Sequence, residues 1–196
     1  MPWSQLYENS KTSFANGVFF QLSARLAHST GNTNYSDWFS KIFDWSSSSG
    51  IIDADWNLYE PTNQRNCSDI LTGQASSYVA VYIGGVANMY NITKGSAQTK
   101  WKAALEGLLN QTINIFFPGS IITQFAEYVQ DRSRELDNEG LIARNLVNTI
   151  KLAPYTTQAI MPNLVATAIA AVKNCTLAAE QTRLLELLGL AASRVD

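Results

Sequence analysis

Residues 16–45, reading NGVFFQLSARLAHSTGNTNYSDWFSKIFDW, confine this chain to a fold made of helical hairpins. Val18, Leu22 and Leu26 recur at every fourth position with Phe14 and Phe19 beside them. That apolar stripe of helical period predicts the packing face of a first helix. Ser29, Thr30, Gly31 and Asn32 then interrupt it with residues that tolerate turn dihedrals. Trp38, Ile42 and Trp45 mark a second stripe. So short a turn between two amphipathic helices brings them together as an antiparallel pair.

The same logic predicts an all-α chain, with helices near 14–29, 34–46, 76–91, 98–116, 138–152, 157–174 and 177–192. Val79 to Tyr90 is apolar nearly all round, with Gly84 and Gly85 permitting close approach, so this helix should be covered on most sides. Trp101, Leu105, Leu108, Leu109, Ile113 and Phe116 form an ordinary amphipathic stripe that stops at Pro118-Gly119. The Ala-rich segment Leu164–Val172, preceded by Pro162, reads as a buried helix. Displacing the chain by about 63 residues aligns Leu26 with Met89, Thr30 with Thr93 and Trp38 with Trp101, each copy being helix, turn, helix.

Composition removes several function classes. A net charge of −2 without a Lys/Arg cluster offers no basic stripe to displace counterions, which argues against nucleic-acid binding. No apolar run is long enough to span a bilayer. The start, Met1-Pro2-Trp3-Ser4-Gln5, shows no secretory signal, and the end shows no hydrophobic tail of the kind that directs lipid anchoring. Cys67 and Cys175 fit no zinc spacing, and no Gly-rich phosphate loop follows a strand, so neither a metal nor a cofactor is expected. Asn-x-Ser/Thr triplets begin at Asn34, Asn66, Asn91, Asn110 and Asn174, more than residue frequencies alone would give, which points toward a secreted parentage. His28, the single histidine, sits at a helix C-terminal end where imidazolium suits the macrodipole.

Several motifs carry a family resemblance. Asn16-Gly17, Phe20-x-Leu22-x-Ala24-Arg25-Leu26-Ala27, Thr30-Gly31-Asn32 and Tyr35-x-Asp37-Trp38 resemble the central region of fungal glycoside hydrolase family 76. These are mannan endo-1,6-α-mannosidases and related cell-wall glycan cross-linking proteins. The similarity continues through Asp44-Trp45, Gly50-Ile51-Ile52-Asp53, Tyr59, Asn66-Cys67-Ser68-Asp69-Ile70, Gln74, Gly85-x-Ala87 and Tyr90-Asn91-x-Thr93. It resumes at Leu152-Ala153-Pro154, Ile160-Met161-Pro162 and Cys175. The resemblance implies a partial (α/α)6 toroid over residues 1–175, in which antiparallel hairpins form inner and outer rings. A separate amphipathic helix is expected over 176–196. It further implies α-1,6-mannan as substrate, an extracellular or cell-wall location, and exposed hairpin edges through which such a half-ring could self-associate.

Glycoside hydrolysis needs two carboxyl groups, one to protonate the leaving oxygen and one to attack or to activate water. The family supplies them as an Asp-Asp dipeptide upstream of the matched region, and this chain contains none. No position is therefore assigned as catalytic, and the isolated chain is expected to be inactive; the alternative is a non-catalytic paralogue acting as a weak glycan-binding or helical interaction module. Candidate substrate-binding residues gather around the long 51–69 connection. In an extended segment Asp53 and Asp55 would face the same way, about 6–7 Å apart; otherwise they are solvated or cap a turn. Tyr59-Glu60 falls where the family has Tyr-Asp, so Glu60 is a candidate acceptor for sugar hydroxyls. Gln74 aligns with the Gln of the family's Gln-Trp-Ser-Tyr-Asn segment. Tyr78 stands one residue from its Tyr, which on a helix is a rotation of about 100°. The charged stretch Gln130–Glu139 reads as a solvated face.

Overall fold

The structure, a computed structural model, describes residues 10–60, 62–63, 72–123 and 132–187, with side chains described for 11–60, 72–123 and 138–175. Among these residues six α-helices form three hairpins: α1 (Ser13–Thr30) with α2 (Thr33–Ser48), α3 (Ser76–Ile92) with α4 (Gly95–Phe116), and α5 (Arg132–Leu152) with α6 (Thr157–Leu187). Short turns join the two helices of each pair. Thr12 caps α1, its hydroxyl accepting from Ala15 N, and Gly31 ends the helix at φ 67° with its N–H on Ala27 O. Asn32 caps α2 through Asn34 N.

Helices α1, α3 and α5 lie side by side as an inner layer, with α2 and α4 packed outside α1 and α3. The inner helices run parallel. At one end His28 meets Asn88, and Asn91 Nδ2 donates to Leu152 O; at the other, Ser13 Oγ donates to Tyr59 O ahead of α3. All the longer connections, 49–75 and 117–131, therefore share the end at which the inner helices begin. A two-residue antiparallel pairing of Ser10–Lys11 with Thr62–Asn63 ties the chain start to that end.

Close approach of the inner helices depends on glycine. A Cβ at Gly17 would lie 2.4 Å from Val81 Cγ2, and one at Gly85 2.4 Å from the Phe20 ring. Phe20, admitted by Gly85, stacks on Phe39 at 3.9 Å and on Tyr82 at 5.0 Å, while Trp101 of α4 meets Phe39 and Phe43 in T-shaped contacts. This aromatic block joins the first hairpin to the second. Helix α3 is buried from Val79 through Met89, as its uniform apolar character predicts.

Three expectations are corrected. The stripe on α1 is not its buried face: Phe14, Val18, Phe19 and Leu22 are exposed, and the buried residues are Ser13, Gly17, Phe20, Ser23, Ala24 and Ala27. Small residues beat large ones there because the neighbouring helix comes so close. The segment Leu164–Val172 is likewise not buried, with Met161, Val165, Ile169 and Val172 forming an exposed apolar row on α6. Finally, the helices expected at 157–174 and 177–192 are one helix, so the boundary drawn at 175/176 coincides with no break in the backbone. Asn174-Cys175-Thr176 resembles a turn by composition, yet nothing there forbids helical dihedrals. The charged stretch of 130–139 falls largely outside the described side chains, and Cys67 lies outside the described residues altogether.

Candidate functional site

The end of the bundle bearing the long connections holds every candidate residue. After α2 the chain turns at Gly50 (φ 80°) and anchors Ile51 and Ile52 in the core. Ile52 and Leu58 then pair across a tight antiparallel loop. The loop is a turn and not an extended strand, so the sequence-based placing of Asp53 and Asp55 on one side of a strand is replaced by a different geometry. Asp53 N donates to Asn57 O and Trp56 N donates to Asp53 O, closing the turn from both sides. Trp56 occupies the left-handed region at φ 66°, a conformation that costs a bulky residue energy. Its indole rests where a Cβ on Gly107 of α4 would stand, 2.4 Å from three ring atoms, so the missing side chain at Gly107 makes the seat for this ring.

Asp53 is the hub of the turn. Its Oδ1 accepts from Asp55 N at 2.9 Å and Asn57 N at 2.8 Å; its Oδ2 accepts from Asn57 Nδ2 and the Tyr59 hydroxyl, both at 2.8 Å. Partial burial pulls the Asp53 carboxyl upward, but donation from Asn57, Tyr59 and the two backbone N–H groups outweighs it and holds the group below its ordinary value. Tyr59 is raised by its own burial, and further by donating to Asp53 and lying in the field of Asp53 and Asp55. The network continues through Asn57, whose Oδ1 accepts from Gln74 Nε2 at 3.3 Å and from Gln111 Nε2 of α4 at 2.5 Å.

A second pair lies alongside. Glu60 Oε1 accepts from the Tyr78 hydroxyl at 2.8 Å, while Glu60 N donates to Gly73 O at 2.9 Å. Despite its displaced position, Tyr78 thus reaches the loop. Of the six sequence candidates, the structure joins Asp53, Tyr59 and Gln74 through Asn57 and pairs Glu60 with Tyr78. Asp55 stays exposed and contributes only its backbone N–H. Sequence reasoning missed Asn57, Gln111 and Trp56. Asn57 carries a weak signal, four residues after an Asp in a polar loop; Gln111 carries none, since nothing local tells which helical amide will face a loop.

Elsewhere, Asp44 pairs with Lys100 at 3.0 Å on the surface. No group of three or more His, Cys, Asp or Glu side chains that could hold a metal occurs among the described residues.

The profile of glycosyl hydrolase family 76 matches residues 1–187. The chain belongs to glycosyl hydrolase family 76. A Schizosaccharomyces pombe protein provisionally named as a mannan endo-1,6-alpha-mannosidase is 38% identical over 170 residues, which are 84% of this chain and 38% of that protein. Mannan endo-1,6-alpha-mannosidase DFG5 of Saccharomyces cerevisiae is 30% identical over 178 residues, 88% of this chain and 38% of its own length. The crystal structure of Dfg5 from Chaetomium thermophilum, in complex with glucosamine, superposes with a TM-score of 0.81 at 34% identity, covering 88% of this chain and 43% of that one. Cellobiose 2-epimerase from Bacillus thermoamylovorans shares the fold alone, at a TM-score of 0.55 and 13% identity. The family 76 chain described here thus spans about two fifths of the length of the curated relatives it matches. Both structural relatives are helical toroids, and three hairpins are half of a six-hairpin ring.

Proposed function

We propose that this chain is the glycan-binding half of a family 76 mannan endo-1,6-α-mannosidase or transglycosidase, acting on α-1,6-linked mannan at the cell wall, and that alone it does not cleave the glycan. The observation that carries this reading is the state of its carboxylates. Asp53 accepts four hydrogen bonds from its own loop, Glu60 is paired with Tyr78, and the chain has no Asp-Asp dipeptide. A nucleophile or acid/base must be free to meet the anomeric centre and the leaving oxygen. A carboxylate whose four lone-pair sites are filled by neighbours serves rigidity instead.

Binding is better supported than chemistry. Trp56, Tyr78, Glu60 and Gln74 place aromatic surface beside polar groups at one end of the half-ring, a combination suited to sugar rings and their hydroxyls. That a relative was crystallised with glucosamine supports a sugar site in this family. The exposed apolar rows on α1 and α6 favour a second role, closure of the half-ring against another apolar surface, whether further hairpins or a second copy.

The test is a paired assay on the purified chain: calorimetric titration with α-1,6-mannotriose, and reducing-end release from α-1,6-mannan. Binding that Glu60→Ala and Trp56→Ala weaken, with no release, is the expected result. Turnover at ordinary hydrolase rates that Asp53→Asn or Asp55→Asn abolishes would overturn the assignment of chemistry to residues outside this chain. Absence of binding would favour the non-catalytic interaction module.

A further inference from the structure

Away from the long connections, α1, α3 and α5 of the inner layer shape an open cavity of about 340 Å³. Its floor is set by a glycine. A Cβ at Gly84 would fall 2.1 Å from Gln21 Nε2 and 2.3 Å from Asn145 Oδ1, so the bare backbone is what lets those two amides hydrogen-bond across α3. Deeper along the same helix, Asn88 Nδ2 donates to Gly84 O at 2.7 Å, which turns Asn88 Oδ1 toward His28 Nδ1 at 2.9 Å. Asn88 Oδ1 can only accept, so His28 Nδ1 carries the proton and Nε2 is left to face outward.

The walls are cationic. Arg25 stands on α1 beside His28, and Arg144 and Lys151 stand on α5; among the described residues no Asp or Glu lines the cavity. The side chains of Arg25, Arg144 and Lys151 have neither an ion pair nor a hydrogen bond to any described residue, whereas those of Lys100 and Lys102 do pair with carboxylates. Helix-end electrostatics explains His28 and Lys151, which lie in last turns. It does not explain Arg25 and Arg144, which lie further back and outside the reach of the terminal carbonyls. Spacing accounts for their convergence: Gln21, Arg25 and His28, like Arg144, Asn148 and Lys151, fall at i, i+4 and i+7, one face of each helix.

Unpaired cations gathered in a concavity repel one another and focus a positive potential, which a bound oxyanion relieves through charge-assisted hydrogen bonds. The amides between them are hydroxyl partners. We propose that this cavity is a binding site for a phosphorylated sugar, the phosphate held by Arg25, Arg144 and Lys151 and the ring hydroxyls by Asn148 and Gln21. The site is independent of the loop end, and its residues take no part in the proposed mannan contacts.

Isothermal titration of the purified chain with mannose 6-phosphate, inorganic phosphate and mannose tests it. Mannose 6-phosphate should bind at least roughly tenfold more tightly than either other probe. Arg25→Gln combined with Arg144→Gln should weaken it by at least roughly tenfold. The melting temperature should hold, because both side chains are exposed. Lys151→Gln should weaken it less, and Glu60→Gln at the loop end not at all. Binding no tighter than that of inorganic phosphate, binding indifferent to the double substitution, or no binding of the sugar phosphate would each overturn the assignment.

Discussion

Trp38 and Trp101 hold equivalent places in successive hairpins, yet Trp101 is 3% exposed and Trp38 53% exposed. The faint repeat in the sequence aligns them, and the structure gives the reason for the difference. Trp101 makes T-shaped contacts with Phe39 and Phe43 of the hairpin before it. Among the described residues Trp38 meets the Phe19 ring of its own hairpin, at 6.1 Å, and Lys41. The partner that Trp38 lacks would belong to a hairpin on the far side of α1, where Phe14, Val18 and Leu22 also look outward. The unequal burial should appear in stability. Trp101→Ala should cost roughly 3–5 kcal/mol in urea unfolding, whereas Trp38→Ala should stay within about 1 kcal/mol. Equal losses would mean that Trp38 is packed in the isolated chain.

The two apolar edges lead to a statement about assembly. Leu22 on α1 and Ile169 on α6, each 51% exposed, stand in rows of large apolar side chains at opposite ends of the half-ring. Contiguous apolar surface of this kind is characteristic of contact sites. The chain alone should therefore self-associate in sedimentation velocity, with Leu22→Lys and Ile169→Lys each shifting it toward monomer. A monodisperse monomer at high concentration would show that water tolerates both edges.

How much of this was readable beforehand depends on what each residue faces. The uniformly apolar α3 and the hairpin turns were legible, because local pattern and tertiary environment agree there. The stripe Val18-Leu22-Leu26 does not mark the buried face of α1, because periodicity reports that a face is apolar, not what lies against it. The true interface of α1, through Gly17, Ser23, Ala24 and Ala27, is inconspicuous since small residues carry little hydropathy. At the loop, Asp53 could be read either as a turn cap or as part of a carboxylate pair, and only the four donors around it decide between them. Gln111 lies 54 residues from Asn57 in sequence, beyond the whole of α3, so no local signal could join them.

Asp53 should reveal its role through acid. Its folded-state pKa lies below the unfolded value of about 3.9, so it stabilises the fold above that value and the contribution is lost as pH falls through the folded pKa. Asp53→Ala should lower stability at neutral pH by roughly 1–2 kcal/mol, leaving the loop donors without their shared acceptor. The gap between wild type and variant should narrow below about pH 4. Denaturant midpoints measured from pH 7 to pH 3 would show it, and a constant gap would contradict the network.

Two adjacent glycines should respond differently to a methyl group. At Gly85 the obstacle is the Phe20 ring, locked between Phe39 and Tyr82, so Gly85→Ala should destabilise by roughly 1–3 kcal/mol through overpacking. At Gly84 the nearest atoms are the tips of Gln21 and Asn145, which can swing aside. Gly84→Ala should therefore cost less and instead break the amide bridge, altering the cavity. Thermal melts of both variants compare the two costs directly, and a larger loss at Gly84 would refute the ordering.

Tyr82 provides the alkaline counterpart to Asp53. Burial pushes its hydroxyl up to about 12, with the hydrogen bond to Ser46 pulling it back slightly. In the unfolded chain the group titrates near 10. Its neutral form is thus favoured by folding, and the resulting stability is whole below about pH 10 and is lost as pH rises from there through the folded value. A shift of this size corresponds to about 2–3 kcal/mol between the two limits. Tyr82→Phe cannot ionise. At neutral pH it should be less stable by about 1 kcal/mol for the lost hydrogen bond, a modest cost because Ser46 Oγ still donates to Ile42 O at 2.8 Å. Above about pH 10 the variant should gain on wild type and overtake it. Urea midpoints from pH 8 to beyond the folded pKa provide the measurement, and curves that stay parallel would mean that Tyr82 reaches water in the folded chain.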